Sequence, residues 1–255
     1  MIKPTFLTYQ KPLLCAMVQD TTPDEMICTI MNSQYDGAEA FGIQLENLLP
    51  EYRTLDHLKK IFSYCRNKPI YLTSYRSHSN KGLTDDERVE FLLLGLEAGG
   101  TLCDVEGDLY HREPNELTFD PEAVAKQEAL IKKIHEMGGE VLMSTHIHDY
   151  FDEEKNLKIA LEQKKRGADV VKIVNFSRTE EEQIANINTI YRLKKELDGT
   201  PFLYLVNGAE SRLIRQFGAR LGVCMYLCVQ NYVSVSSKEQ PLLRSMKIAR
   251  DALME

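Results

Sequence analysis

Gly167-Ala168-Asp169-Val170-Val171-Lys172-Ile173-Val174-Asn175-Phe176 is a β-branched run that follows a Lys/Arg-rich helical segment and is entered through a glycine. That pattern describes a short strand behind a glycine-terminated helix. A lysine stands in its middle, between Val171 and Ile173. Burying an ammonium costs its hydration. The same cost favours the neutral, nucleophilic amine that Schiff-base chemistry uses. Alternatively the lysine ends an edge strand and reaches solvent, and the local residues leave both readings open.

The neighbouring segments repeat the pattern. Leu13 to Gln19 is a continuous apolar run, as in a strand covered on both faces. Thr22, Pro23 and Glu25 form a capping box with proline in the first turn, and Gly37 ends that helix. Further strands are expected at 38–45, 69–76, 102–106, 140–146, 201–206 and 223–229. Thr84 with Glu87, Asp120 with Pro121, and Thr179 with Glu182 open helices between them, and a last helix is expected at 241–253. Residues 1–12 read as a lead-in with Pro4 and Pro12. Eight strands alternating with helices imply a parallel sheet. In about 250 residues that is the size of a (β/α)8 TIM barrel, an α/β fold. A doubly wound open sheet is the competitor, but Gln19-Asp20-Thr21-Thr22 is not its glycine-rich phosphate loop. No linker-like stretch interrupts residues 1–255, so a single domain is expected.

The composition narrows the function classes. A net charge of -7 with acids and bases mixed gives no footprint for nucleic acid or an anionic membrane. No run approaches a membrane span, and the N-terminus lacks a signal-like apolar segment. The six cysteines form no CxxC pair and are expected to be reduced and mostly buried, as in a cytoplasmic protein. The runs Glu153-Glu154-Lys155 and Lys164-Lys165-Arg166 read as solvated helix faces.

Barrel enzymes place their chemistry at the C-terminal strand ends. The polar residues expected there are Gln44, Glu46, Arg76, Asp104, Glu106, Ser144, His146, His148, Lys172 and Asn207, with Arg215 opening the next helix. Alternation along a strand points Ser144, His146 and His148 the same way. A lysine amine condensing with a ketone, a histidine moving the adjacent proton and an arginine gripping a carboxylate make one coherent chemistry. His146 and His148 also resemble a strand-borne metal pair, although no further histidine stands at a strand end.

These residues carry a resemblance to the type I 3-dehydroquinate dehydratases, Schiff-base (β/α)8 enzymes of the shikimate pathway. Met143-Ser144-Thr145-His146 resembles the family's Met-Ser-x-His segment, and Gly167 to Ile173 resembles the segment bearing the Schiff-base lysine. The resemblance implies Lys172 as nucleophile, His146 as acid/base, and Arg215 and Arg76 as substrate-binding arginines. It implies Ser236 and Gln240 as lid residues that close over the substrate, and Gln44 as a substrate contact. It further implies a cytoplasmic homodimer that dehydrates 3-dehydroquinate to 3-dehydroshikimate, a small carboxylated substrate, with no metal or organic cofactor. The chain departs from the pattern at three places. The family's Glu-x-Arg pair at the end of strand two is replaced by Gly42 and Gln44, and the glutamate that helps orient the histidine is replaced by Asn80. The segment His146-Ile147-His148-Asp149 also leaves His148 as a rival acid/base. Two other readings follow from the departures: a Schiff-base aldolase or dehydratase acting on a different hydroxy-carbonyl acid, and a catalytically silent barrel that binds a carboxylated ligand.

Overall fold

The computed structural model describes residues 4–254; Met1 to Lys3 of the lead-in and Glu255 lie outside the described residues. Strands and helices alternate from β1 (Leu13–Val18) and α1 (Pro23–Tyr35) through β2 (Ala40–Gln44), α2 (Leu55–Ser63), β3 (Ile70–Thr73) and α3 (Asp85–Glu97). They continue with β4 (Leu102–Glu106), α4 (Pro121–Glu136), β5 (Glu140–His146), α5 (Glu153–Lys165), β6 (Val170–Phe176) and α6 (Glu180–Glu196). Then follow β7 (Phe202–Asn207), α7 (Arg212–Leu221), β8 (Met225–Cys228) and α8 (Leu243–Met254).

All the strand pairings are parallel, in the order β7-β6-β5-β4-β3-β2-β1-β8. The ends of that series meet where the Cys224 amide donates to Phe202 O at 2.9 Å, which brings the sheet round into a nearly closed barrel. The fold is therefore the single-domain (β/α)8 barrel expected from the alternation. Apolar strand residues and the inner helix faces form one buried cluster. No helix among the described residues is long and apolar enough to cross a membrane.

The helix starts obey the capping chemistry written in the sequence. Thr22 with Glu25 and Thr84 with Glu87 form complete capping boxes, and Asp120 accepts from the Ala123 amide. The strands are shorter than their apolar runs. β3 stops at Thr73 because the next carbonyl, that of Ser74, accepts from Arg88 Nη1 at 2.5 Å and leaves the ladder. Helix α2, which no capping box announced, begins at Thr54, whose hydroxyl accepts from the His57 amide.

The Lys164-Lys165-Arg166 run is not a uniform solvated face. Arg166 is buried, donating to Gln127 Oε1 at 2.8 Å and to Thr118 O at 2.6 Å between the barrel wall and α4. Beside it, Gln163 of α5 fixes the backbone of Lys172 in both directions. Its Oε1 accepts from the Lys172 amide at 3.1 Å and its Nε2 donates to Lys172 O at 3.0 Å. The helix outside the barrel thus holds the strand segment whose lysine points inward. Of the cysteines, Cys28 is exposed and the other five are buried, and all six are free thiols.

Candidate active site

Gln44, Thr73, His146 and Asn207 are the last residues of β2, β3, β5 and β7, and all four line one cavity of about 240 Å3. Lys172, Tyr71, Tyr75 and Arg215 line the same cavity, so it lies at the C-terminal end of the barrel. A wider cavity of about 690 Å3 adjoins it and shares Tyr75, Ser77, His146 and Asn207 with it.

Lys172 is 3% exposed. Its amine faces Asp104 Oδ2 at 3.1 Å, Tyr71 Oη at 3.0 Å and Tyr75 Oη at 2.5 Å. Asp104 is buried as well and receives Ser144 Oγ on its other oxygen at 2.5 Å. The pair therefore satisfies the requirement that buried charges be partnered.

His146 sits at the rim with its ring edge-on to Tyr75, centroids 5.3 Å apart. Its Nδ1 lies 2.6 Å from Glu116 Oε2, which also accepts from the His146 amide at 3.1 Å. That leaves Nε2 as the ring nitrogen available to a ligand. Burial opposes the charge on Glu116, but its hydrogen bonds with His146 outweigh burial and hold the carboxyl below the usual glutamate range. The loop that delivers Glu116 is shaped for close approach. Glu116 adopts φ +47°, its carbonyl accepts from Thr145 Oγ1 at 3.1 Å, and a Cβ at Gly107 would come within 2.6 Å of that carbonyl.

The strand-two and strand-three departures have physical counterparts. Gly42 makes room for Met17, whose sulfur would lie 2.3 Å from any Cβ there, so an apolar side chain fills the space beside Tyr71. Asn80 does not reach His146; its Nδ2 donates to Tyr75 O at 2.9 Å and to Ser74 Oγ at 3.2 Å, tying down the loop that presents Tyr75. The carboxylate missing at position 80 thus reaches the histidine from another loop, as Glu116. Replacing Glu116 with Gln removes the acceptor that fixes the imidazole tautomer, since an amide can present either oxygen or NH2. We expect kcat to fall at least about tenfold with KM little changed, read by steady-state kinetics; an unchanged kcat would show that Glu116 does not orient the ring.

Arg215 is buried at the start of α7, where Nε donates to Val206 O at 2.9 Å and Nη2 to Asn207 Oδ1 at 2.5 Å. Burial pushes its pKa down to about 10, which marks a desolvated cation short of anionic partners. Arg76 is placed differently. Asp85 grips it with two oxygens at 3.2 and 3.0 Å, Asp108 takes Nη1 at 2.7 Å, and it lines the larger cavity rather than the one holding Lys172. Its charge is already matched by carboxylates, so it forms part of a wall.

Gln44 accepts from Gln19 Nε2 at 2.8 Å, and Gln19 in turn accepts from Ser236 Oγ at 2.6 Å. The loop after β8 is pinched at its base, where Val229 bonds to Pro241 and Leu243. Its Val235, Ser237 and Gln240 line the cavity, while Ser236 lies behind them as the anchor to Gln19. Gln240 Oε1 is buried with no hydrogen-bond partner among the described residues. Glu46 is buried beside the same cavity, and burial pushes its carboxyl up to about 7 despite hydrogen bonds from Thr73.

The three-residue alternation expected for Ser144, His146 and His148 ends early. β5 stops at His146, and His148 is an exposed loop residue lining only the larger cavity. The described residues contain no group of three or more His, Cys, Asp or Glu placed to hold a metal ion. The site residues missing from the sequence reading are Glu116, Tyr71 and Tyr75. The two tyrosines flank the strand-three end and were visible there as polar-tipped residues; Glu116 lies in a loop with no local signal.

Comparison with solved structures places the same scaffold around known dehydratases. The 3-dehydroquinate dehydratase of Geobacillus kaustophilus superposes with a TM-score of 0.81 at 15% identity, over 96% of this chain and 92% of that one. A type I enzyme from Clostridium difficile, solved with covalently modified comenic acid, gives 0.81 at 14% identity, over 97% and 94%. The Enterococcus faecalis enzyme gives 0.78 at 11%, over 98% of each. These identities establish the fold alone. No curated protein sequence matches the chain. The family model for type I 3-dehydroquinase, however, matches residues 14–249, from β1 into α8. With nearly every barrel element inside that match, the chain belongs to the type I 3-dehydroquinase family.

Proposed function

We propose that Lys172, His146 and Arg215 are the working parts with which this hydro-lyase dehydrates 3-dehydroquinate to 3-dehydroshikimate. The observation that carries the assignment is a buried amine on the wall of a cavity that an imidazole and a buried guanidinium also line. Arg215 binds the substrate carboxylate through the donors its backbone and Asn207 contacts leave free. The Lys172 amine condenses with the ketone, losing water and forming an iminium. His146 Nε2 removes the proton next to the iminium, and the electron pair moves into an enamine. The enamine expels the β-hydroxyl, which leaves as water with the proton His146 took up. Hydrolysis of the resulting conjugated iminium returns the lysine and releases the enone acid. Gln240 and Gln44 contribute polar contacts from the lid and from strand two, and Ser236 anchors the lid. Arg76 supports the wall around His146. A cytoplasmic homodimer is part of the same reading, supported only by the resemblance to the family.

Incubation with 3-dehydroquinate and borohydride tests the assignment. We expect a reduced adduct on Lys172 by peptide mass spectrometry, together with enone formation in the absence of borohydride. A protein that forms no adduct with 3-dehydroquinate or any other keto acid would overturn it in favour of a silent carboxylate-binding barrel. One observation favours a second reading. The strand-two arginine of the family is Gln44 here, so Arg215 is the sole arginine lining the Lys172 cavity among the described residues. An adduct without turnover would assign the same chemistry to a different hydroxy-carbonyl acid.

A further inference from the structure

The steps above assign work to Lys172, His146 and Arg215, and they leave unused the three groups that touch the lysine amine. Tyr71 and Tyr75 both donate to Asp104 Oδ2, Tyr75 at 2.5 Å, and the lysine donates to both phenol oxygens and to that carboxylate. The inventory closes: an ammonium has three protons, and three oxygens receive them. An ammonium held this way is not a nucleophile, and one proton must leave before the amine can attack. His146 makes no hydrogen bond to Lys172 among the described residues, and its Nδ1 is occupied by Glu116. Proton exchange at the nitrogen therefore falls to the groups in contact with it.

Building on the Schiff-base reading, we propose that Tyr75 is a catalytic residue for forming and hydrolysing the Schiff base, relaying a proton between Lys172 and Asp104. Lys172 passes one proton to the Tyr75 oxygen as Tyr75 passes its own to Asp104. The neutral amine attacks the carbonyl carbon, the C–N bond forms, and the carbonyl π pair moves to oxygen, which takes a proton from nitrogen. Asp104 then returns the stored proton through Tyr75 to the carbinolamine hydroxyl. The C–O bond breaks, water leaves, and the nitrogen lone pair completes the iminium. Ammonium plus ketone becomes iminium plus water, with no proton gained or lost.

Burial and the neighbouring Asp104 carboxylate push both tyrosines well above the ordinary phenol range, so each holds a proton to hand on rather than acting as a standing base. Tyr75 differs from Tyr71 in position. Tyr71 is fully buried in the barrel, whereas Tyr75 is partly exposed and lines both cavities, where a carbinolamine hydroxyl can reach it. Asn80 and the edge contact with His146 fix Tyr75 in that place.

The test is the initial rate of borohydride-trapped adduct on Lys172 with 3-dehydroquinate, in the wild type and in Tyr75→Phe. Phenylalanine keeps the ring and its packing on His146. We expect adduct formation to slow at least about tenfold and to recover partly with added imidazole buffer, which a purely structural defect would not show. In the wild type, adduct formation should carry a normal solvent deuterium isotope effect, a measurement that needs no variant. Adduct formation by Tyr75→Phe at the wild-type rate, or a wild-type rate insensitive to deuterium, would overturn the relay while leaving the Schiff base in place. A wild type that forms no adduct removes the Schiff base and the relay together.

Discussion

Lys172→Met will form no borohydride-trapped adduct and will lose dehydratase turnover by more than about 10⁴-fold. Methionine fills a similar volume but offers no electron sink, and His146 alone cannot stabilise the carbanion next to an ordinary ketone. The same change acts on stability. The Lys172 and Asp104 side chains are 4% and 0% exposed, so removing the cation leaves a buried carboxylate held by hydroxyls alone. Breaking one side of such a buried pair costs about 3–5 kcal/mol. Urea denaturation should show that loss, and Lys172→Met combined with Asp104→Asn should recover much of it, because the uncompensated charge is gone. A Lys172→Met protein that still forms an adduct would move the nucleophile to another lysine and end this account of the site.

The second large effect is expected at His146. Truncation to alanine should lower kcat by about 10²–10⁴-fold, the range for losing a positioned acid/base. The adduct should remain detectable, because amine attack on the ketone does not use the imidazole. Mass spectrometry and steady-state kinetics on one variant thus separate the two roles. His148→Ala should leave kcat near the wild-type value, since His148 is exposed in the loop and faces only the larger cavity. If His146→Ala keeps the full rate and His148→Ala loses it, the loop must rearrange around the substrate and the assignment passes to His148.

The legible and illegible parts of this protein divide by sequence distance. Capping at Thr22, Thr84 and Asp120 uses residues three apart, so the helix starts could be read directly. Lys172 was legible because a charge inside a β-branched run is anomalous wherever it occurs. Arg76 and Arg166 show where such reading stops. Both are cations next to strands or on helices, but carboxylates from other segments neutralise the first, while the second is buried with Glu162 as its counter-ion and its other donors on Gln127 and Thr118. Only the Glu162 contact of Arg166, one helical turn away, is local; the remaining partners of both arginines lie on other segments and have no signature beside them. The groups around the chemistry are more remote still: Glu116 lies 30 positions from His146, and Tyr71 lies 101 from Lys172.

The amino-acid order by itself determined the barrel, because hydrophobic periodicity and capping are nearest-neighbour properties and eight repeats of one unit leave few ways to bury the strands. It also singled out Lys172 as the anomalous amine, while leaving open whether that amine is buried or reaches solvent. Only the tertiary structure decided what surrounds that amine, why a glycine and an asparagine stand where the family carries charged residues, and which carboxylate steadies the histidine. The physical reason is that hydrogen bonds and ion pairs act over a few ångströms of space. Closing the barrel is what brings chain segments a hundred residues apart within that range.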